Sequence, residues 1–231
     1  MATELKLYRS SIGKKALMAA TGLVLFLFIV AHLLGNLLVF AGPDSLNAYA
    51  KKLRDLGAVL WLARISLLSA LVIHIWAAVK LTIENRRARP VRYAYKATIE
   101  TTYAARTMMI SGLIVFAYII YHLLHFTFRV TNPRISHMTD AMGHHDVYSM
   151  VVLSFQNLWI TFTYVLAMAL LCIHLSHGIS SMFQSLGFNN EKSIPMIQKV
   201  ARITALIIFL GYASIPFSIL FRWVRLPGGV L

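Results

Sequence analysis

Six histidines fall inside long apolar stretches of the chain: His32, His74, His122, His125, His174 and His177. An ionisable side chain in hydrocarbon is costly, so an intramembrane histidine reads as functional and usually faces the interior of a helix bundle. Neutral imidazole is the common axial ligand of haem iron, and bundles build cofactor sites from side chains on facing helices. Two haems need four such ligands. The single cysteine, Cys172, also lies in an apolar stretch. A disulfide framework and a covalent C-x-x-C-H attachment are therefore excluded, and any haem is held non-covalently. Cys172 reads as a small core hydrophobe.

The elements that must position these histidines are apolar helices. The chain has 231 residues, 58% hydrophobic and 13% charged, too apolar for a soluble domain of this size. Five stretches, roughly 15–41, 58–83, 107–130, 153–182 and 200–222, are long enough to cross a bilayer as helices. The expectation is an all-α membrane protein: one five-helix, haem-binding bundle over residues 1–231. The first apolar run is too long for the core of a signal peptide, so it reads as a retained helix. Gly42-Pro43-Asp44, Arg89-Pro90 and Asn132-Pro133 punctuate the stretches, and the short Leu186 to Pro195 connection predicts antiparallel fourth and fifth helices.

The net charge of +14 is better explained by topology than by nucleic acid. With a cytoplasmic amino terminus, most basic residues fall on inner segments, and Arg86, Arg87, Arg89, Arg92 and Lys96 form the densest cluster. This satisfies the positive-inside rule.

Depth then pairs the histidines. With a rise of about 1.5 Å per residue, His32 and His122 lie about 5–6 Å beyond their helix midpoints toward the outer leaflet. On the same scale His74 lies about 5 Å, and His177 about 10–14 Å, toward the inner one. The expected pairs are His32 with His122 and His74 with His177. On the fourth helix two candidates stand: His174 lies closer to the depth of His74, whereas Gly178 after His177 would let a flat macrocycle approach the backbone. The expectation takes His177. An internal echo links Thr21-Gly22-Leu23 before His32-Leu33-Leu34 with Ser111-Gly112-Leu113 before His122-Leu123-Leu124, and Leu71-Val72-Ile73-His74 with Leu171-Cys172-Ile173-His174. The two glycines read as room for a second haem, or as close helix packing.

The 8 carboxylates lie in termini, loops or helix ends, which argues against a carboxylate proton relay and for electron transfer. The segment His137 to His145, with Asp140, His144, His145 and then Asp146, carries metal-ligand types without a recognised spacing and reads mainly as a solvated loop.

The residues resemble the five-helix, dihaem cytochrome b subunits of succinate dehydrogenases and fumarate reductases. The likeness rests on Ser11-Ile12-Gly13-Lys14-Lys15, Thr21-Gly22, and His32 followed by Gly35-Asn36-Leu37. It extends to Arg64 with His74, Gly112 through His122, and His177-Gly178 with Ser181, Gln184, Ser185, Leu186 and Gly187. It covers about residues 10–190. The resemblance implies two haem b groups with axial ligands at His32, His74, His122 and His177, partnership with a flavoprotein and an iron-sulfur subunit, and a quinone, menaquinone, as redox partner. It also implies a multi-pass protein of the bacterial cytoplasmic membrane that carries no succinate-oxidising site itself. Some members hold a membrane carboxylate shortly before the fourth-helix histidine, where this chain has Leu175. The quinone is expected near the outer haem and the polar Asp44 to Asp55 loop. Two other classes fit the same histidines: the cytochrome b anchor of a hydrogenase or formate dehydrogenase, and a haem-free proton-relay transporter.

Overall fold

The computed structural model describes residues 10–88, 103–188 and 190–229. Arg89-Pro90, Arg92 and Lys96 of the basic cluster lie outside the described residues, as do Glu4, Lys6, Arg9 and Glu100. Eight helices are described: α1 Ser11–Asn36, α2 Pro43–Asp55, α3 Ala58–Arg87, α4 Tyr103–His122, α5 Pro133–Ser136, α6 Val147–Phe155, α7 Leu158–Ser185 and α8 Ile194–Leu220. A 3-10 turn, Leu37–Ala41, prolongs α1, and a π-helical turn, Leu123–Thr127, prolongs α4. Among the described residues there is no strand beyond an isolated bridge between Thr139 and His145. Five of the helices are long and apolar enough to cross a bilayer, in agreement with the sequence: α1 with its 3-10 turn, α3, α4 with its π turn, α7 and α8.

Local chemistry sets the helix ends. The Ser10 side chain accepts from Gly13 N at 3.0 Å and starts α1, and the Asn157 side chain accepts from Trp159 N and Ile160 N at 2.9 and 3.2 Å and starts α7. That cap divides the expected 153–182 helix, because residues 147–155 form α6. The Asp44 to Asp55 segment is a helix rather than a loop. Pro43 stands in its first turn with Asp44, and Lys52 and Arg54 stand in its last, a charge order that suits the helix dipole.

The bundle packs α1 against α3, α4 against α7 and α1 against α7, while α8 covers the α7 side. No comparable packing joins α3 to α4. At the amino-terminal end of α1, buried Lys14 pairs with Glu84 near the end of α3. At the opposite end an apolar cluster including Val39, Leu46, Val152, Phe155, Tyr164 and Ile219 joins α2, α6, α7 and α8.

Asn47, on α2 and buried, fastens that cluster. Its Nδ2 donates to Asp146 Oδ1 at 3.0 Å and its Oδ1 accepts from Tyr148 N at 3.0 Å. Asp146 also accepts from Ser149 N at 2.9 Å and Ser149 Oγ at 2.6 Å. Burial would raise the Asp146 carboxyl, but the Ser149 and Asn47 hydrogen bonds outweigh it and hold the group below its ordinary value. Beside it, His145 Nδ1 meets the Met138 carbonyl at 3.2 Å, and its Nε2 is buried without a partner among the described residues. Burial keeps the His145 ring below its ordinary value, with Arg129 and Arg54 adding to the effect against the pull of the Met138 carbonyl and Asp146.

A histidine held low in the fold gives stability that is full above its unfolded value of 6.5 and is lost as the pH falls through that value and the folded one below it. Protection of the Tyr148 and Ser149 amides, read by hydrogen exchange and corrected for intrinsic rates, should therefore weaken as pH falls below about 6.5, and His145→Gln should remove that dependence.

Candidate functional site

Two histidine pairs lie across the diagonals of the α1, α3, α4, α7 square. Toward the amino-terminal end of α1, His74 of α3 faces His174 of α7 with ring centres 6.5 Å apart and planes at 63°. Farther along α1, His32 faces His122 of α4 with centres 5.8 Å apart and planes at 85°. Two imidazoles on opposite sides of one metal atom, each at a metal–nitrogen distance of about 2 Å, have ring centres roughly 6 Å apart. Rotation about the shared axis leaves their interplanar angle free, so both pairs have the spacing of axial ligands.

The two surroundings differ. His74 Nδ1 lies 3.1 Å from the Met18 carbonyl and 3.4 Å from Thr21 Oγ1, and His174 Nδ1 lies 3.4 Å from Ser111 Oγ. A Cβ added to Gly22 would stand 3.3 Å from His74 Cε1, and one added to Gly112 would stand 3.3 Å from His174 Cε1. Each glycine therefore seats a ring of this pair. The His32–His122 pair is enclosed instead by aromatic rings: Phe28 stacks on His32 at 5.2 Å, Tyr212 lies 6.3 Å from it, and Phe126 and Tyr164 lie 5.7 and 6.0 Å from His122.

On α7 the residue facing His74 is the other of the two candidates. His174, and not His177, stands opposite His74. His177 follows by less than one full turn and points elsewhere. It is half-buried and makes no ring contact with another described residue, and its carbonyl accepts from Ser180 Oγ at 2.9 Å. The signal that favours His174 was present in the Leu171-Cys172-Ile173-His174 echo and in the depth of that residue. The glycine after His177 pointed the other way, and Gly178 meets no neighbouring atom that a Cβ would strike.

His125 is 1% exposed. Ser154 Oγ donates to the Met150 carbonyl at 2.7 Å, so it accepts from His125 Nε2 at 3.1 Å, and His125 Nδ1 in turn accepts from Tyr164 Oη at 2.9 Å. With both nitrogens used, His125 ties α4 to α6 and α7. The π turn that begins after His122 carries it there.

Among the described residues no group of three or more His, Cys, Asp and Glu side chains has metal-binding geometry, the 137–146 segment included. There Asp140 Oδ1 instead accepts from the backbone of Met142 and His144 at 3.0 and 2.8 Å. Sequence reasoning missed the tyrosines around the second pair. Tyr118, Tyr121, Trp159, Ile160 and Thr163 line a shallow, open apolar groove of about 350 Å³ on the bundle surface. The Tyr118 ring centre is 6.4 Å from that of His122, and its hydroxyl is buried without a hydrogen bond of good geometry.

Comparison with known families matches residues 82–213, more than half of the chain, to the succinate dehydrogenase/fumarate reductase transmembrane subunit. The chain belongs to this family. No curated protein and no solved structure matches it. The match takes in His122, His125, His174 and His177, and with them both candidates on α7. As a transmembrane subunit of this family, the chain associates with the other subunits of such complexes in the membrane.

Replacing His125 by Asn should shorten the side chain and leave the Tyr164 hydroxyl without its acceptor. The expected cost is about 1–3 kcal/mol of stability, seen as a lower Tm of the detergent-solubilised subunit, with both histidine pairs left in place.

Proposed function

We propose that this chain passes electrons between an iron-sulfur partner subunit and a quinone, with one haem b held between His74 and His174 and a second between His32 and His122. The observation that carries the reading is the recurrence of one arrangement. Two imidazole pairs, each with ring centres about 6 Å apart, face each other across the same bundle. Gly22 against His74 and Gly112 against His174 seat the two rings of one pair in the same way on two separate helices. Bis-imidazole haem iron supplies a one-electron carrier that changes redox state without a change of ligand.

The chain's own residues do the rest. The four imidazoles are neutral donors, so they bring no net charge into the bilayer. The separation of Gly22 from His32 sets the pairs about 15 Å apart along α1, which together span roughly half of the hydrocarbon thickness. Phe28, Phe126, Tyr164 and Tyr212 exclude water from the second pair. The basic sequence near the amino-terminal end of α1 and beyond α3 favours a cytoplasmic face at that end, where an iron-sulfur protein would dock. Electrons would then run from the His74–His174 site to the His32–His122 site.

For the quinone, the reading takes the groove of Tyr118, Tyr121 and Trp159 beside His122, with the Tyr118 hydroxyl as hydrogen-bond donor to a ring carbonyl. Its lining is apolar with few polar groups, and it lies open on the surface of the bundle, which suits a lipid-borne ring. The polar residues of α2 remain the competing location, although Asp55 is engaged by Lys51 at 2.5 Å.

A pyridine haemochrome spectrum with protein quantitation on the purified complex should give two haems b per chain. His174→Ala should reduce this to one, and His177→Ala should leave two. A single haem in the native complex, or loss of one in His177→Ala alone, overturns the pairing, and a haem-free intact preparation overturns the electron-transfer reading. Tyr118→Phe should slow quinone turnover by on the order of 10-fold, the loss of one hydrogen bond, at unchanged haem content. Full turnover in Tyr118→Phe together with a loss in Asp44→Asn would move the quinone to α2.

A further inference from the structure

We propose that Thr21 and Ser111 are positioning residues that fix which nitrogen of His74 and His174 is free and how strongly it donates. The argument starts from a hydroxyl's single hydrogen. Thr21 Oγ1 lies 2.8 Å from the Leu17 carbonyl and 3.1 Å from that of Met18, and Ser111 Oγ lies 3.1 Å from the Met108 carbonyl. Each hydroxyl directs its hydrogen back along its own helix, as Ser and Thr commonly do within helices. Only an oxygen lone pair is left to face the ring.

The Nδ1 atoms of His74 and His174, each 3.4 Å from its hydroxyl, must therefore carry the hydrogen. A neutral imidazole has one N–H, so Nε2 of both rings holds a bare lone pair. Among the described residues no hydrogen bond reaches either Nε2. At 3.4 Å the contacts are long, yet the low dielectric of the bundle strengthens what they contribute. The glycine that follows each hydroxyl, Gly22 or Gly112, is what lets the ring come this close. The same hydroxyl-glycine step on two separate helices receives the two rings of a single pair.

The arrangement makes the two pairs chemically unlike. An acceptor at Nδ1 raises the basicity of the ligating nitrogen and stabilises a bound metal's higher oxidation state. His74 and His174 have such acceptors. Among the described residues no hydrogen bond reaches the ring of His32 or His122. The two members of the supported pair differ as well: His74 keeps the Met18 carbonyl at 3.1 Å if Thr21 is lost, whereas His174 has Ser111 alone. This inference rests on the proposed haem ligation.

The test is a redox titration of the purified complex, monitored by visible and EPR spectra, for Ser111→Ala, Thr21→Val and Ser111→Thr. Ser111→Ala should raise the potential of one haem, leave the other unmoved, and weaken retention of the affected haem about 10-fold. Thr21→Val should shift the same haem in the same direction by less. Ser111→Thr should behave as the native protein. An unshifted potential in Ser111→Ala, a shift shared by both haems, or a larger effect of Thr21→Val in a complex with two haems overturns this inference and leaves the proposed function standing. Absence of haem from the native complex overturns both.

Discussion

Water does not reach the interior of a bilayer, so each ring nitrogen of a buried histidine has to be partnered by the protein or by something the protein holds. That requirement sorts the six apolar-stretch histidines. His125 finds both partners in Ser154 and Tyr164 and becomes a tie between helices. His74 and His174 find a protein partner for one nitrogen only among the described residues, and their rings face each other across the bundle. His32 and His122 lie among aromatic rings and turn to each other. The helix order, the glycines and the π turn all serve this allocation of nitrogens.

The hairpins α1–α3 and α4–α7 repeat one another in these details. Thr21, Gly22 and His74 stand to the first as Ser111, Gly112 and His174 stand to the second. His32 and His122 occupy matching places on the leading helices, so each histidine pair takes one member from each hairpin. The match is broken on the outside. α8 packs along the α7 side and donates the Tyr212 hydroxyl to the Ile29 carbonyl of α1 at 2.8 Å, while among the described residues no helix covers the α3–α4 flank in the same way.

Much of this was legible in the sequence. Apolar runs of bilayer length gave five spanning helices, and the matching depths of His32 and His122 on their helices placed the two rings near one another. The choice between His174 and His177 was only partly legible: depth and the local echo favoured His174, but which way each residue faces, three apart on one helix, is not readable from helix boundaries. The roles of Thr21 and Ser111 were hidden for a related reason: a hydroxyl in a membrane helix ordinarily bonds its own backbone, and only the neighbouring ring shows that its lone pair is used. The α2 helix was read as a loop because its apolar positions are few, and the buried Asn47 that anchors it looks like a turn residue in sequence.

The thinly packed α3–α4 flank bears on how the protein is made. Each hairpin can form as it leaves the insertion machinery, since its two helices contact one another directly. The diagonal contacts join residues separated by much of the chain. A group gripped between the diagonals would act as a rivet driven through two independently formed halves, and mass action would tie the integrity of the bundle to the supply of that group. A cell short of it would then accumulate chains that are inserted yet loosely closed.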